Sequence, residues 1–188
     1  MVVPIPPDHH HRRSIRLPGF DYSQVGEYFV TICAHERRCI FGKIVDGEMR
    51  LNELGEIVHD EWEKTSVLRA NVDLGAFVVM PNHFHAIVYI VEDDLVKATL
   101  SRSTRRGDRP VAPTEARGPS PRSIGAIMAG FKSAVTTRIN TIRKSPREPV
   151  WQRNYYEHVI RDDKEYLAIE GYIENNPANW VKDSLYLD

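Results

Sequence analysis

The chain has 188 residues, of which 41% are hydrophobic, and its formal net charge is −1. This length and composition suit one globular domain rather than a disordered segment. No apolar run approaches the roughly 20 residues that cross a bilayer, so we expect a cytoplasmic protein with no membrane partner.

The near-zero net charge conceals two segments of opposite sign. Residues 97–153 contain 13 basic and 3 acidic residues, a net charge of +10. Residues 21–96 contain 6 basic and 14 acidic residues, a net charge of −8. A concentrated positive segment can bind phosphate groups whatever the overall charge is. By itself, this pattern is equally compatible with a nucleic-acid surface and with a solvated basic linker.

The first half of the chain predicts a flexible arm followed by strands and a helix. Residues 1–19 form the predicted basic arm, and residues 20–188 form a single domain. The β-branched and aromatic residues at 27–34 predict a strand. Asp46 and Gly47, between short alternating runs, predict a hairpin over 41–51. Asn52 can cap a helix that runs to about Leu68.

The second half predicts two strands, a loop and two helices around a further strand. The apolar runs at 72–80 and 83–91, joined by a turn at Pro81, are typical of central strands covered on both faces. A mobile basic loop is predicted at about 97–121. A helix at 123–144, an extended segment at 150–160 and a last helix, capped by Asp162 or Asp163 and ended by Pro177, follow. This order predicts an α+β fold, an antiparallel sheet with helices packed on it.

His83 and His85 flank Phe84 in the second apolar run. Because side chains alternate along a strand, both imidazoles lie on one face and Phe84 on the other. Two neighbouring imidazoles on a strand can bind one divalent metal ion. The alternative is a structural role, in which each buried ring needs a hydrogen-bond partner.

Tyr172 lies on the last predicted helix, and Asn176 follows one helical turn later on the same face. A tyrosine hydroxyl can attack a phosphodiester to form a covalent phosphotyrosine. Its ordinary pKa of about 10 means that it needs help from a metal or a base. Asn176 offers an amide oxygen as a third metal ligand. Both residues also have a structural explanation, since the chain has eight tyrosines and asparagine is common at helix ends.

Several segments, in their order along the chain, resemble the REP-associated tyrosine transposases, relatives of the insertion-sequence transposases that move single DNA strands. The resemblance covers roughly residues 12–180, and the basic loop is the part without a recognisable match. The matching segments are RRSIRLPGFDYSQVGEYFVTIC, VVMPNHFHAIVYI, GFKSAV, WQRNYYEHVIRDDKEY and GYIENNP.

The resemblance implies a ferredoxin-like antiparallel sheet and a role for each candidate residue. It makes His83 and His85 metal ligands and Tyr172 the nucleophile. Insertion-sequence transposases carry glutamine four residues after the tyrosine as a further ligand, whereas this chain has Asn176 there. The implied cofactor is a divalent metal, Mg²⁺ or Mn²⁺, and the implied partner is single-stranded or hairpin DNA made of REP elements.

The activity implied is that of a transposase and single-strand DNA endonuclease. Tyr172 would attack phosphorus to give a 5′-phosphotyrosine and a free 3′-OH, and reversal of the step would rejoin strands in DNA transposition or recombination. The resemblance allows a homodimer or a monomer. Phosphate contacts are expected from basic residues and base stacking from Tyr155. The basic residues are Arg12, Arg13, Arg16, Lys132, Arg138, Arg143, Lys144 and Arg153.

Two other functions compete with this one. The first is a DNA or RNA hairpin-binding module that does not cleave. The second is a metallohydrolase that uses the histidine pair with a water nucleophile. That enzyme would need an acidic ligand or base near the metal, and the sequence around the histidines supplies none. Several of the arginines expected to contact phosphates have another explanation, which is that they only keep the helices soluble.

Overall fold

A computed structural model describes residues 20–92 and 119–186 of the chain. The predicted arm at 1–19, and the predicted loop apart from its last three residues, lie outside this part. The described elements, in chain order, are β1 Gly26–Cys33, β2 Gly42–Val45, β3 Glu48–Leu51, α1 Glu53–Leu68, β4 Val72–Val79, β5 His83–Ile90, α2 Ile124–Arg143, β6 Tyr156–Ile160 and α3 Asp163–Asn175. Two short 3-10 helices span His35–Arg37 and Pro177–Lys182.

Four strands form one sheet in the order β4-β5-β1-β6, and every neighbouring pair is antiparallel. With α1 connecting β1 to β4 and α2 connecting β5 to β6, this is the ferredoxin-like arrangement. The β2–β3 hairpin forms a separate two-stranded sheet, inserted between β1 and α1. The prediction of an α+β fold with an antiparallel sheet is therefore confirmed.

The prediction that residues 72–80 form a central strand is wrong. In the described sheet β4 lies at an edge and pairs only with β5, whereas β5 is central. The apolar character of β4 has another cause, because its two faces contact different helices. Leu74 and Phe77 pack into the core beneath α1, and Ala76 and Val78 pack towards α3. The hydropathy of a strand indicates whether its two faces are covered, and it does not show whether the strand lies at the edge or in the centre of the sheet.

The helices begin where their capping residues predict. Asn52 accepts hydrogen bonds from the backbone N–H groups of Leu54 and Gly55, at 2.9 and 3.1 Å. Asp162 accepts one from Glu165 N–H, at 2.8 Å, and so starts α3. At the hairpin, Asp46 and Gly47 both have positive φ, 52° and 79°, as a tight two-residue turn between twisted strands requires.

The sheet is covered on both faces, and the two faces have separate cores. On one face α1 and α2 pack over a large core that includes Trp62, Phe84 and Phe131. On the other face α3 packs over a smaller core that includes Ile87 and Ile173. Because side chains alternate along β5, Phe84 enters the large core while the flanking histidines face α3. Among the described residues no helix is long and apolar enough to span a bilayer.

Candidate functional site

The two histidines of β5 lie side by side beneath α3. Both are fully buried, and their ring centroids are 4.5 Å apart. His83 Nδ1 lies 2.8 Å from Asn82 Oδ1, and His85 Nδ1 lies 2.8 Å from the hydroxyl of Thr31 on β1. Because an amide oxygen can only accept, His83 Nδ1 carries the hydrogen and Nε2 keeps its lone pair. Both rings therefore have a partner at Nδ1 that leaves Nε2 facing α3.

Tyr172 of α3 points its hydroxyl at this pair. The hydroxyl oxygen is 3.1 Å from His85 Nε2, and the two ring centroids are 5.1 Å apart. The helix is held in this place by Ile173, which is buried in the smaller core next to the sheet. The structure thus brings together three residues that are up to 89 positions apart, as His83 and Tyr172 are.

Asp183 joins the site, and the sequence did not predict it. It follows the Pro177–Lys182 3-10 helix, and only 2% of its side chain is exposed. Its Oδ2 accepts hydrogen bonds from the Tyr172 hydroxyl, at 3.2 Å, and from the Asn176 amide, at 2.9 Å. The same oxygen lies 4.0 Å from His83 Nε2. The sequence around the histidines supplies no acidic group, but the folded chain does, because it returns to them after α3.

A hydrogen-bonded connection anchors Asp183 to β5. Its Oδ1 accepts the backbone N–H of Leu185 at 2.6 Å, and the carbonyl of Leu185 accepts the amide of Asn82 at 2.8 Å. Asn82 therefore contacts His83 through its oxygen and the segment of Asp183 through its nitrogen. No signal in the sequence indicates this link, since residues 82 and 185 are joined only in the folded chain.

Burial dominates the protonation of the site. It lowers the pKa of His83 to about 4, although the Asp183 carboxylate opposes the shift. Burial, and next the charge of His83, lower the pKa of His85. Burial and then the Asp183 charge raise the pKa of Tyr172 above its usual range. At neutral pH the imidazoles are therefore uncharged, as metal ligands must be, and the phenol keeps its proton.

The residues present fit a divalent cation. His83, His85 and Asp183 each offer a ligand atom, and these atoms lie within 4.8 Å of one another. Within the part of the chain that the structure describes, His83 Nε2 and Asn176 Oδ1 are buried without a hydrogen-bond partner. Buried acceptors without partners are costly unless something satisfies them, and a cation between them would do so. We call His83, His85, Tyr172, Asn176 and Asp183 the histidine–tyrosine site.

Among the described residues, the basic side chains expected to contact DNA do not lie at this site. Lys132 and Arg138 lie on α2, which covers the opposite face of the sheet from Tyr172. Lys132 donates to the carbonyls of Gln152 and Arg153, at 2.6 and 3.0 Å, and burial lowers its pKa to about 8. The guanidinium of Arg138 pairs with carboxylates of α1, at 2.7 and 3.2 Å.

The other predicted DNA contacts are spread out. Arg143 and Lys144 lie at the C-terminal end of α2, and Arg153 is exposed. The hydroxyl of Tyr155 donates to Glu157 at 2.7 Å. Their roles stay predictions, as do those of the arginines at positions 12, 13 and 16, which lie outside the described residues.

The fold of the chain is similar to that of a transposase of known structure. A solved structure of a REP-associated tyrosine transposase bound to a REP hairpin aligns with a TM-score of 0.56 and 20% sequence identity, covering 93% of this chain and 76% of that chain. The fold is therefore the one that this transposase adopts. No family model matches the chain. A Haemophilus influenzae protein is 43% identical over 179 residues, which is 95% of each chain, and the present chain belongs to the same protein family.

Proposed function

We propose that the chain is a transposase that cleaves and rejoins single-stranded DNA, with Tyr172 as the nucleophile. The observation that supports this most is the Tyr172 hydroxyl, which lies between a histidine nitrogen and the Asp183 carboxylate. A hydroxyl in this place can reach a phosphate held at the histidine pair. The fold agrees, since a transposase that adopts it binds a REP hairpin. Hairpin DNA is therefore the proposed substrate.

The proposed cofactor is a divalent cation held by His83, His85 and Asp183, with the amide oxygen of Asn176 as a further donor. When bound, the cation supplies positive charge that offsets the negative charge developing on the scissile phosphate. Two of the donors are imidazole nitrogens, which Mg²⁺ uses less readily than transition metals do, so Mn²⁺ fits this set better.

The proposed chemical step exchanges one phosphodiester bond for another. The Tyr172 oxygen forms a bond to phosphorus while the bond from phosphorus to the 3′ oxygen breaks. The phenolic proton passes to Asp183 Oδ2, which already accepts the hydrogen bond of this hydroxyl. The departing 3′ oxygen takes a proton from solvent. Because the ester is conserved as a 5′-phosphotyrosine, attack by a second 3′-OH rejoins strands without a further energy source.

Substituting Tyr172 by Phe tests the nucleophile. The variant keeps the ring that packs against Phe29 and His85, so the fold should be retained. With Mn²⁺ and a labelled DNA hairpin that carries single-stranded arms, the wild type should give a covalent protein–DNA band on a denaturing gel. Tyr172→Phe should give none. Tyr166→Phe is the matched control, because Tyr166 lies on the same helix and its hydroxyl bonds Tyr89 and Glu170.

A metallohydrolase with a water nucleophile is the second candidate, and Asp183 favours it by supplying the acidic group that such an enzyme needs. The same gel separates the candidates. Cleaved DNA without a covalent band, retained in Tyr172→Phe, would establish the hydrolase. Binding without any cleavage in the wild type would instead leave a hairpin-binding module.

The role of Asp183 in metal binding can be tested separately. Asp183→Asn keeps the size of the side chain but removes a negative charge from the donor set. We expect its Mn²⁺ affinity, measured by calorimetry, to fall by at least about tenfold, which corresponds to about 1.4 kcal/mol. Asp73→Asn is the control, because Asp73 is an exposed residue of β4 whose oxygen accepts only its neighbour's N–H in the described contacts.

A further inference from the structure

We propose that a cleft beside the histidine–tyrosine site binds one unpaired nucleotide that flanks the scissile phosphate. The cleft lies between the β2–β3 hairpin and the Pro177–Lys182 3-10 helix, and we call it the side cleft. This inference rests on the proposed function, because it assigns part of the substrate to a surface outside the reacting groups.

The size of the side cleft suits a single nucleotide. Its volume is about 470 Å³, within the range of small-molecule sites. Lys43 and Ile44 of the hairpin line one side, and Val181 and Tyr186 line the other. It is open to solvent, so a strand of DNA can enter and leave without threading.

The side cleft is joined to the metal-binding residues through one aromatic ring. Trp180 is nearly buried, with its ring centroid 5.8 Å from that of His83 and 5.2 Å from that of Tyr186. The ring contacts therefore run from Tyr172 to His85, His83, Trp180 and Tyr186. The nucleophile contacts one end of the histidine pair and the wall of the cleft contacts the other. A phosphate held at the pair would thus have its neighbouring nucleotide within reach of the cleft.

The lining matches the two halves of a nucleotide. Val181 lines the cleft with 69% of its surface exposed, so it offers an apolar side chain to a ligand there. A nucleobase has a flat apolar face that would cover it, and Tyr186 offers an aromatic ring for stacking. Lys43 offers an ammonium group for the phosphate. The cleft therefore has an apolar side, with Val181 and Tyr186, for the base of a nucleotide, and a lysine on the other side for its phosphate.

The test compares binding of two DNA hairpins, one blunt and one with a single-stranded extension, in the absence of divalent metal so that nothing is cleaved. Val181→Glu places a carboxylate at the rim of the cleft. We expect at least about tenfold weaker binding of the extended hairpin and less than about twofold change for the blunt one. Tyr186→Ala should act in the same direction, since loss of one stacked base weakens binding by roughly five- to hundredfold.

Val67→Glu is the matched control. Val67 is 84% exposed on α1, so the variant adds the same charge to the surface away from the cleft. Both hairpins should bind Val67→Glu as they bind the wild type. Thermal melting of each variant checks that the fold is intact.

A scan with abasic sites locates the nucleotide. One position of the extension should weaken binding to the wild type when its base is removed, and have no further effect in Val181→Glu. The proposal is overturned if Val181→Glu and Tyr186→Ala bind both hairpins as tightly as the wild type does. It is also overturned if both variants bind the two hairpins more weakly by the same factor. The outcome is independent of cleavage, because binding is measured without divalent metal. A selective loss of binding here, together with no covalent band for the wild type in the gel with Mn²⁺, would support the cleft and reject the nucleophile.

Discussion

At the scale of single residues, two buried side chains decide how the histidines face the site. The hydroxyl of Thr31 contacts His85 Nδ1, and the amide oxygen of Asn82 accepts from His83 Nδ1, both at 2.8 Å. A partner on one ring nitrogen holds the imidazole in place and leaves the other nitrogen to the metal. Asn82 also holds the backbone that follows Asp183. These two residues are therefore positioning residues for the proposed metal site.

Removing the Thr31 hydroxyl should weaken metal binding without removing any ligand. Thr31→Val keeps the β-branched shape in β1 but leaves His85 Nδ1 without its partner. We expect the Mn²⁺ affinity to fall by about 10- to 100-fold, the usual effect of losing such a partner. The free energy of unfolding should fall by about 1–3 kcal/mol, because a buried polar atom loses its hydrogen bond. Calorimetric titration and urea unfolding measure the two quantities.

The matched control is Thr65→Val in α1. Thr65 is also buried, and its hydroxyl donates to the carbonyl of Glu61 within the helix, on the other face of the sheet. This variant should bind Mn²⁺ like the wild type. Equal affinities for Thr31→Val and the wild type would contradict a positioning role for Thr31.

Single residues also show which parts of the site the sequence could predict. The pairing of His83 and His85 follows from the two-residue period of a strand, which needs only local information. Asp183 and Asn82 could not be assigned in this way. Asp183 is one of 26 acidic residues, and nothing near it in sequence distinguishes it. Asn82 directly follows Pro81 at the predicted turn, and its contact with residue 185 depends on how the chain folds back.

At the scale of elements, α3 carries the nucleophile next to a glycine. Gly171 precedes Tyr172 in the helix interior, and a methyl group added there would meet no atom within 4 Å. Glycine lowers helix stability because it loses more backbone freedom on folding than other residues. The Tyr172 hydroxyl already lies 3.1 Å from His85, so the proposed reaction requires no bending of α3 at this point.

Gly171→Ala should therefore stabilise the protein and leave its activity unchanged. The expected gain in the free energy of unfolding is about 0.5–1 kcal/mol, the helix-interior difference between glycine and alanine. The rate of covalent adduct formation should stay within about twofold of the wild type, which corresponds to about 0.4 kcal/mol. Urea unfolding and single-turnover gels measure the two effects. A large fall in rate with increased stability would show that α3 must bend at Gly171 to react.

Most elements follow from patterns that local chemistry governs. Asn52 and Asp162 start helices because their side chains accept backbone N–H groups. The sequence does not predict the 3-10 helix at Pro177–Lys182, because the proline indicates only the end of α3. Proline is compatible with the first turn of a new helix, and here it begins the turn that leads to Asp183. The edge position of β4 also escaped prediction, because strand order depends on contacts far apart in sequence.

At the scale of the whole molecule, the sheet holds uncharged imidazoles between two layers, and this links stability to pH. Burial lowers the pKa of His83 to about 4, whereas an unfolded histidine titrates near its ordinary value of about 6.5. Above pH 6.5 neither state binds the proton, and the stability contributed by the neutral ring is fully present. As the pH falls below that value, the unfolded chain takes up protons that the folded chain excludes. Stability therefore decreases until the pH falls through the folded pKa.

The metal-free protein should thus lose stability on acidification, and His83→Gln should lose less. Between pH 7.5 and 5 the free energy of unfolding of the wild type should fall by about 2 kcal/mol more than that of His83→Gln, from the pKa difference at this one site. Urea unfolding at a series of pH values measures the two slopes. Equal slopes for the wild type and His83→Gln would mean that His83 has the same pKa in the folded as in the unfolded chain, as a ring reached by water would have. Protons would then compete with a cation for its Nε2 in the pH range just below neutral.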